Sequence, residues 1–230
     1  FAVEKKCWPA DIHVLGKDNL RFHAIYWPAM LKSTGYKLPK TILVHDFISL
    51  NGQKISKSLG NVIRPTELVK QFGADAVRYF FLRYGPLRND IDFTLEKFKE
   101  VYNADLANGL GNLVARVAKL CEIHKVVYSL KDTANEFHPV VKDCLENFQF
   151  NETLKFIWEK ISYLDEYLEQ KKPWEKTGLH QIVRWEELVE GIRQIAYNLQ
   201  PFLPETAQRI QKQFAGPKIK SEKPLFPRIK

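Results

Sequence analysis

Near its beginning the chain alternates between short apolar runs and turn residues. The run Ile12–Leu15 is bounded by Gly16 and predicts a β-strand, and a second extended run covers Thr41–Ser49. The second run leads into Asn51-Gly52, a dipeptide that strongly favours a tight turn between two strands. These spacings predict a small sheet in the first part of the chain.

A helix is predicted between the two extended runs. Its apolar positions recur at helical spacing from Leu20 to Leu31. Asp18 precedes them in the position of an N-cap residue, and Gly35 follows them as a stop. Pro28 lies inside this pattern, where it is expected to kink or restart the helix. A strand, a helix and a further strand in succession indicate an α/β fold.

Beyond the predicted sheet the apolar spacing becomes helical. Pro65 suits the first turn of a helix and Gly73 suits its end. Longer amphipathic stripes begin at Leu95, Leu154 and Trp185. This part of the chain is predicted to be an antiparallel helix bundle.

Three segments are expected from these patterns. Residues 1–92 are predicted to form an α/β domain and residues 93–216 an all-α bundle, with the boundary in the charged connector Leu87–Thr94. Residues 217–230 are basic and contain prolines, so they are expected to run as an extended strap over the bundle.

The composition favours a globular protein away from membranes. Of the 230 residues, 45% are hydrophobic, which is enough for one good core or two modest ones. The chain contains no uncharged apolar run of about 18 residues, as a membrane span would need, and no signal-peptide pattern. The expected location is therefore the cytoplasm or an organelle matrix.

The charge favours a polyanionic partner. Lys and Arg together number 35 against 27 Asp and Glu, which gives a net charge of +8. A basic protein attracts RNA electrostatically, although many basic proteins bind no nucleic acid.

The cysteines are typical of a reducing compartment. Cys7, Cys121 and Cys144 are an odd, widely spaced set, which is unlike a disulfide framework. Cys121 and His124 form a CxxH pair, but this spacing matches no common zinc ligand pattern. No metal site is therefore predicted within the chain.

One basic loop carries candidate phosphate chemistry. Lys54-Ile55-Ser56-Lys57-Ser58 follows the predicted turn and combines two ammonium groups with two hydroxyls. Such a loop can surround a triphosphate with positive charge and hydrogen-bond donors. Taken alone, a KxxK loop is more often a solvated surface loop.

Residues 52–61, which contain this loop, closely resemble the KMSKS signature of class I aminoacyl-tRNA synthetases. The resemblance implies that Lys57 binds the ATP phosphates and stabilises the α-phosphate under attack, with Lys54 assisting. It also implies that Ser56 and Ser58 belong to the ATP site. Ile55 replaces the usual Met and preserves an apolar anchor.

The end of the first predicted strand is a candidate ribose site. A glycine at a strand end and an acidic residue at a helix start, here Gly16 and Asp18, can seat a ribose, although a simple turn with a helix cap explains them equally well. Residues 16–23 and 27–31 resemble the GKDxxxFH and WPAML segments of methionyl-tRNA synthetases. This resemblance implies that Gly16 and Asp18 contact the adenosine ribose and that His23 lines the methionine pocket.

Two positions depart from the pattern of that family. Asp46 follows His45 where the methionyl enzymes commonly have glycine, and this change is expected to stiffen the preceding strand. Asn19 is polar where many relatives carry Ile at the wall of the methionine pocket.

The helical part contains candidate base-reading residues. Asn112 and Arg116 are one helical turn apart and share a face, where an amide and a guanidinium can read base edges. Trp174 follows Pro173 at a helix end, where its ring can stack on an unpaired base or fill the core. Both segments resemble the anticodon-reading elements of methionyl-tRNA synthetases, which implies that Asn112, Arg116 and Trp174 recognise the anticodon.

The resemblance covers nearly the whole chain and implies a methionine–tRNA ligase that uses ATP with Mg²⁺ and a tRNA with the anticodon CAU. The implied fold is part of a Rossmann catalytic domain with its stem-contact region, followed by the anticodon-binding bundle. The HIGH motif and the zinc-bearing insertion of that family are expected before Phe1, so the chain alone is expected to be inactive. The alternatives are a non-catalytic tRNA-binding module or split subunit and, more distantly, another class I synthetase.

Overall fold

A computed structural model describes residues 8–55, 64–85, 87, 89–129, 136–174 and 183–229. The chain divides into two units by its internal contacts. Unit 1 consists of Phe1–Ile63 with Gly85–Thr94, and unit 2 consists of Arg64–Tyr84 with Leu95–Lys230. Mixed α/β structure is confined to unit 1 among the described residues, whereas unit 2 is helical.

The described residues of unit 1 form two small sheets. Their strands are β1 (Ile12–Gly16), β2 (Thr41–His45), β3 (Ile48–Leu50), β4 (Gln53–Lys54) and β5 (Ile91–Phe93). Strands β1 and β2 pair in parallel along their whole length, from Ile12 opposite Thr41 to Gly16 opposite His45. In the other sheet, β3 lies between β4 and β5, antiparallel to β4 and parallel to β5. The predicted strands in both extended runs are confirmed.

The turn between β3 and β4 has the predicted form. Asn51 and Gly52 have positive φ angles of 52° and 74°, as a two-residue turn of type I′ requires at both positions. The backbone N–H of Gly52 also donates to the Asp92 carboxylate at 2.8 Å. The hairpin that leads into the KISKS loop is therefore held at its turn.

Strand β5 lies in the segment that was expected to be a connector. Its three residues pair with β3, and the Ser49 hydroxyl donates to the Asp92 carboxylate at 2.7 Å. A strand of this length is too short to show a period-two pattern, and its pairing partner is about forty residues earlier in the chain. The prediction of a simple connector over 87–94 was therefore wrong.

The segment between β1 and β2 is helical throughout its middle but is not one regular helix. A 3₁₀ turn over Lys17–Asn19 is followed by a π-helical turn over Phe22–Tyr26 and then by α1 (Trp27–Ser33). Pro28 lies in the first turn of α1. Proline suits this position because it has no backbone N–H to donate to the preceding turn. The expected restart at Pro28 is confirmed, and Gly35 follows the end of α1 with a positive φ of 76°.

The prediction that Asp18 is an N-cap was wrong. Gly16 holds the N-cap position, and the Asp18 carboxylate lies inside the 3₁₀ turn without a side-chain capping bond. The strand runs directly into the helical segment, so Gly16, its last residue, is also the N-cap residue. The Asp18 side chain is thereby left exposed at the end of β1.

Unit 2 is built from helices whose apolar faces pack together. They are α2 (Pro65–Phe72), α3 (Ala74–Tyr84), α4 (Leu95–Val101), α5 (Asn112–Ile123), α6 (Pro139–Glu146), α7 (Phe150–Lys171), α8 (Trp185–Leu199) and α9 (Pro204–Gln213). A π-helical stretch over Tyr102–Gly111 joins α4 to α5, so the predicted long amphipathic helix from Leu95 is confirmed. Gly73 ends α2 with a φ of 86°, as expected.

Helices α2 and α3 belong to the helical unit, which differs from the predicted boundary at 92/93. The ring of Phe98 lies 4.9 Å from that of Phe72 and 5.3 Å from that of Phe80. Arg78 also donates to the backbone carbonyl of Phe202 at 2.9 Å. These contacts join residues far apart in sequence, so the spacing of apolar residues within one helix does not reveal them.

A buried carboxylate joins α3 to the beginning of α9. Asp75 is 5% exposed and accepts a hydrogen bond from the backbone N–H of Thr206 at 2.7 Å. The first N–H groups of a helix lack partners within the helix, and a negative charge near them is favourable. Asp75 therefore caps α9 from another element.

We expect Asp75→Asn to destabilise the 230-residue chain by about 1 kcal/mol, because the amide keeps the shape but loses the charge at the start of α9. Urea unfolding should show a lower midpoint with an unchanged slope. The exposed Glu159→Gln on α7 is the matched control. Equal midpoints for the two variants would contradict the capping role.

The last residues of the chain lie along unit 2. Val127 and Lys218 form an antiparallel bridge, and the Tyr128 backbone N–H donates to the carbonyl of Pro217 at 2.9 Å. Ile219 and Phe226 are buried. The residues from 217 onward belong to unit 2 by their contacts. Within the described ranges, no helix is both long and apolar enough to cross a membrane.

Candidate functional site

The end of β1 brings a glycine, a carboxylate and an imidazole together. A Cβ atom on Gly16 would lie 2.9 Å from the Asp18 carboxylate and 3.5 Å from the ring of His45. Any larger residue at this position would push Asp18 aside. The exposed carboxylate beside an open backbone suits acceptance of hydrogen bonds from sugar hydroxyls.

A lysine between two aspartates holds this corner. The Lys17 ammonium lies 2.6 Å from Asp90 and 3.1 Å from Asp46, and it faces the ring of Phe47 at 4.6 Å. Asp90 also accepts the backbone N–H of Phe47 at 2.8 Å. Lys17 thereby connects the 3₁₀ turn to Asp46, which lies between β2 and β3, and to Asp90, which precedes β5.

The charges of this cluster shift one another's ionisation. The hydrogen bonds to Asp90 and then to Asp46 raise the pKa of Lys17. The hydrogen bonds from Lys17 and from the Phe47 backbone lower the pKa of Asp90. Asp46, which stands where the resembling family commonly has glycine, thus supplies a second carboxylate to Lys17. Asp90 was not among the predicted site residues, because its partners lie far away in sequence.

We expect Lys17→Met to raise the pKa of Asp90 toward its ordinary value, since the charged donor is removed. An NMR pH titration of the carboxyl carbons measures this change, and Lys40→Met, which removes the partner of Asp11, is the matched control. Because the folded-state pKa of Asp90 is depressed, the ionised carboxylate stabilises the folded protein at neutral pH. It should be lost as the pH falls through that depressed pKa. An unchanged Asp90 titration would show that Lys17 does not hold it.

An aromatic pocket lies beside the 3₁₀ turn. His23 lines a cavity of about 480 Å³. The other lining residues are Trp8, His13, Phe22, Tyr26, Trp27 and Met30. The ring of His23 meets that of His13 edge-on at 6.1 Å, and Trp8 meets Trp27 edge-on at 5.9 Å. Such a lining suits an unbranched apolar group, and sulfur contacts with aromatic rings are favourable.

Asn19 connects this pocket to the candidate ribose site. Its side-chain amide donates to the Asp18 carboxylate at 3.2 Å, and its backbone carbonyl lies 3.0 Å from Nδ1 of His23. Asn19 is exposed and is not among the residues that line the cavity. Two of the predicted site residues, Asp18 and His23, are thereby brought together through the residue between them.

Strand β4 carries the first lysine of the KISKS loop. Lys54 pairs through its backbone with Ser49 in the hairpin. Ser56, Lys57 and Ser58 lie outside the described residues, as does the side chain of Lys54. Their roles stay predictions from the sequence.

In unit 2 the structure brings Arg116 and Trp174 together. The guanidinium carbon of Arg116 lies 5.2 Å from the centroid of the Trp174 ring. Arg116 also forms ion pairs with Asp165 at 2.7 Å and with Glu169 at 2.6 Å. Both acids lie on α7, one turn apart, and the sequence did not single them out because their partner is on another helix.

The surface around this pair is open to solvent. Trp174 is 44% exposed, so its ring does not fill the core. Asn112 is exposed at the start of α5, one turn before Arg116. The exposed indole offers a stacking face, as recognition of an unpaired base requires, while Asp165 and Glu169 hold the partly buried guanidinium of Arg116 beside it.

The described residues contain no group of three or more His, Cys, Asp and Glu side chains arranged to hold a metal ion. Cys121 is buried, and its burial raises the pKa of the thiol to about 11. At neutral pH this cysteine is therefore a protonated core residue.

Comparison with known families identifies the origin of these features. The family model described as tRNA synthetases class I (M) matches residues 5–118. Residues 5–118 belong to the class I tRNA synthetase family. This synthetase region contains the Gly16–Asp18 corner, the aromatic pocket and the KISKS loop, and it extends through Arg116. The resemblance stated from the sequence is confirmed at the level of this family.

Synthetases of several organisms resemble the chain beyond that region. The methionine–tRNA ligase of Clostridium acetobutylicum is 35% identical over an alignment of 260 positions. The alignment covers 97% of this chain and 40% of the relative. The chloroplastic and mitochondrial methionine–tRNA ligase of Arabidopsis thaliana is 40% identical over 224 residues, covering 90% of this chain and 36% of the relative. The chain thus spans about two fifths of the length of these synthetases.

A solved synthetase has the same fold. The crystal structure of Mycobacterium tuberculosis methionyl-tRNA synthetase bound by methionyl-adenylate matches with a TM-score of 0.81 and 30% identity. The match covers 97% of this chain and 51% of that chain. The predicted mixed α/β architecture with many helices is confirmed.

Proposed function

We propose that this chain is part of a methionine–tRNA ligase and provides one wall of its catalytic site together with its anticodon-binding surface. The observation that carries the proposal is the aromatic pocket around His23, which Asn19 links to the exposed carboxylate of Asp18. Methionyl-adenylate has a thioether side chain and a ribose. The pocket and the carboxylate fit these two groups side by side.

The reaction has two steps. The methionine carboxylate attacks the α-phosphorus of ATP and pyrophosphate leaves, which gives methionyl-adenylate. A terminal ribose hydroxyl of the tRNA then attacks the methionyl carbonyl, and AMP leaves. When bound with the nucleotide, Mg²⁺ would supply charge neutralisation at the ATP phosphates.

The residues of unit 1 are assigned roles that follow from their surroundings. Asp18 accepts hydrogen bonds from the adenosine ribose, and Gly16 leaves room for the sugar. His23 packs against the methionine side chain. Lys54 and Lys57 stabilise the negative charge on the phosphates, and Ser56 and Ser58 donate hydrogen bonds to them. These last roles rest on the sequence signature.

In unit 2, Asn112, Arg116 and Trp174 are proposed to recognise the CAU anticodon of the methionine tRNA. The contact between Arg116 and the exposed Trp174 supports this role, because the ion pairs of Arg116 with Asp165 and Glu169 hold the guanidinium beside an exposed stacking surface. Unit 1 then corresponds to the catalytic half-domain and unit 2 to the anticodon-binding domain, in which residues 217–230 form the strap. The free thiols of Cys121 and Cys144 fit a cytoplasmic location.

The proposal is tested by pyrophosphate exchange in a full-length protein that contains this segment. Exchange should depend on methionine and not on leucine or cysteine. Exchange that depends on another amino acid would show that methionine is not the substrate. Selective tRNA binding without any exchange would favour a non-catalytic tRNA-binding module.

The His23→Ala variant tests the pocket directly. We expect the KM for methionine to rise about tenfold in pyrophosphate exchange, because the variant removes one wall of the cavity while the nucleotide contacts stay in place. Tyr36→Ala, which removes an exposed aromatic ring of unit 1 outside the cavity, is the matched control. A rise in the KM for ATP alone would place His23 in the nucleotide site instead.

A further inference from the structure

A basic surface lies where α5 ends. The chain turns at Lys125, which has a positive φ of 51°, and then runs beside residues 217–220. Val127 bridges to Lys218, and the Tyr128 N–H donates to the Pro217 carbonyl at 2.9 Å. This backbone pairing fixes the path of the last segment next to the end of α5.

The pairing gathers three lysines around one cavity. Lys125, Lys218 and Lys220 line a cavity of about 350 Å³, and we call them the basic end. All three side chains are exposed. Within the described parts of the chain, none of the three forms an ion pair. Their ammonium groups are therefore available to an outside anion.

The carboxylate in the same cavity is already occupied. Glu122 accepts hydrogen bonds from the Ser221 hydroxyl at 2.8 Å and from the Lys119 ammonium at 3.0 Å. These two bonds lower the pKa of Glu122, with Ser221 contributing most. Because Glu122 is paired with Lys119, the net charge of this surface is set by the basic end.

One lysine of the basic end, Lys125, directly follows a residue that contacts the segment of Trp174. Arg116 and Ile123 lie two helical turns apart on one face of α5, which corresponds to about 10 Å along the helix axis. His124, at the end of α5, lies 3.2 Å from the carbonyl of Pro173, the residue before Trp174. A nucleic-acid strand whose bases reach Arg116 and Trp174 therefore passes close to Lys125.

We propose that Lys125, Lys218 and Lys220 bind the phosphodiester backbone of the tRNA next to its anticodon. This inference rests on the proposed function and assigns the basic end to affinity rather than to base selection. Lysine ammonium groups neutralise phosphates as point charges and release counterions without reading the sequence. The division of labour is then between Arg116 and Trp174, which select bases, and the basic end, which holds the backbone.

The inference is tested with the triple variant Lys125→Gln, Lys218→Gln and Lys220→Gln of the 230-residue chain. Fluorescence anisotropy would measure binding of a CAU stem-loop RNA and of a scrambled-loop RNA over a series of salt concentrations. We expect the slope of log K against log salt to become shallower by about 2–3 and both RNAs to bind about tenfold or more weakly at low salt. The ratio of the two affinities should not change.

Two controls separate charge, shape and folding. The triple variant Lys142→Gln, Lys155→Gln and Lys160→Gln removes the same charge from exposed positions on α6 and α7. Val127→Thr changes the lining of the cavity without changing its charge. Circular dichroism should show the same helix content for all of these proteins.

The possible outcomes distinguish failure of the basic-end proposal from failure of the proposed function. Equal salt slopes for the two triple variants would overturn the basic end while leaving the proposed function intact, provided that the wild-type chain prefers the CAU loop. A loss of that preference in the basic-end variant would also overturn the inference, because the lysines would then read bases. A wild-type chain that binds both RNAs equally would contradict the proposed anticodon surface itself.

Discussion

Replacement of Lys57 by Ala should slow formation of methionyl-adenylate in a full-length enzyme that contains this segment. The expected loss of transition-state stabilisation is about 3–4 kcal/mol. The expectation follows from the KISKS signature, in which the lysine is a preorganised positive charge beside the phosphate under attack. Such a group stabilises the charge that develops in the transition state more than it stabilises bound substrate. The loss should therefore appear in kcat, with the KM for methionine nearly unchanged.

Single-turnover kinetics of adenylate formation measures this effect most directly. Lys70→Ala is the matched control, because Lys70 is an exposed lysine on α2. A Lys57 variant that keeps its rate but binds tRNA more weakly would make the KISKS loop an RNA contact. That result would remove the catalytic role from the loop without affecting the pocket around His23.

The second large effect is expected at the anticodon surface. Trp174→Ala should weaken binding of a CAU stem-loop by about 1–3 kcal/mol, because it removes one stacking surface for a base. Binding of a scrambled loop should hardly change. Titration of the 230-residue chain with both RNAs at one ionic strength measures the difference.

A double-mutant cycle strengthens this test, since Arg116 lies 5.2 Å from the Trp174 ring. If the two side chains recognise the anticodon as a unit, the losses of Trp174→Ala and Arg116→Ala should not add. Tyr163→Ala, which removes an exposed aromatic ring elsewhere in unit 2, is the control. Equal losses for both RNAs would show that Trp174 supports the fold rather than base recognition.

The parts of the fold that local signals specify were predictable. The Asn51-Gly52 turn, the end of α2 at Gly73 and the restart of the helix at Pro28 each depend on the backbone preference of one or two residues. The long helix from Leu95 was predictable because its apolar stripe continues through the π-helical stretch. Strand β5 was not predictable, because its pairing partner is distant.

The candidate site shows the same limit. Asp18 and His23 were found through a linear motif, and the structure joins them through Asn19. Asp90, which holds Lys17, and Asp165, which holds Arg116, lie in other segments of the chain. No spacing within one element marks such partners, because their contacts exist only after the chain has folded.

Aminoacylation tests the central claim most directly, because it requires both the catalytic wall proposed for unit 1 and the anticodon surface proposed for unit 2. The measurement is the charging of a methionine tRNA by a full-length protein that contains this segment, with the CAU anticodon and with an altered anticodon. We predict methionine-specific charging of the CAU tRNA and a strong loss for the altered tRNA. Equal charging of both tRNAs, or charging with another amino acid, would contradict the account.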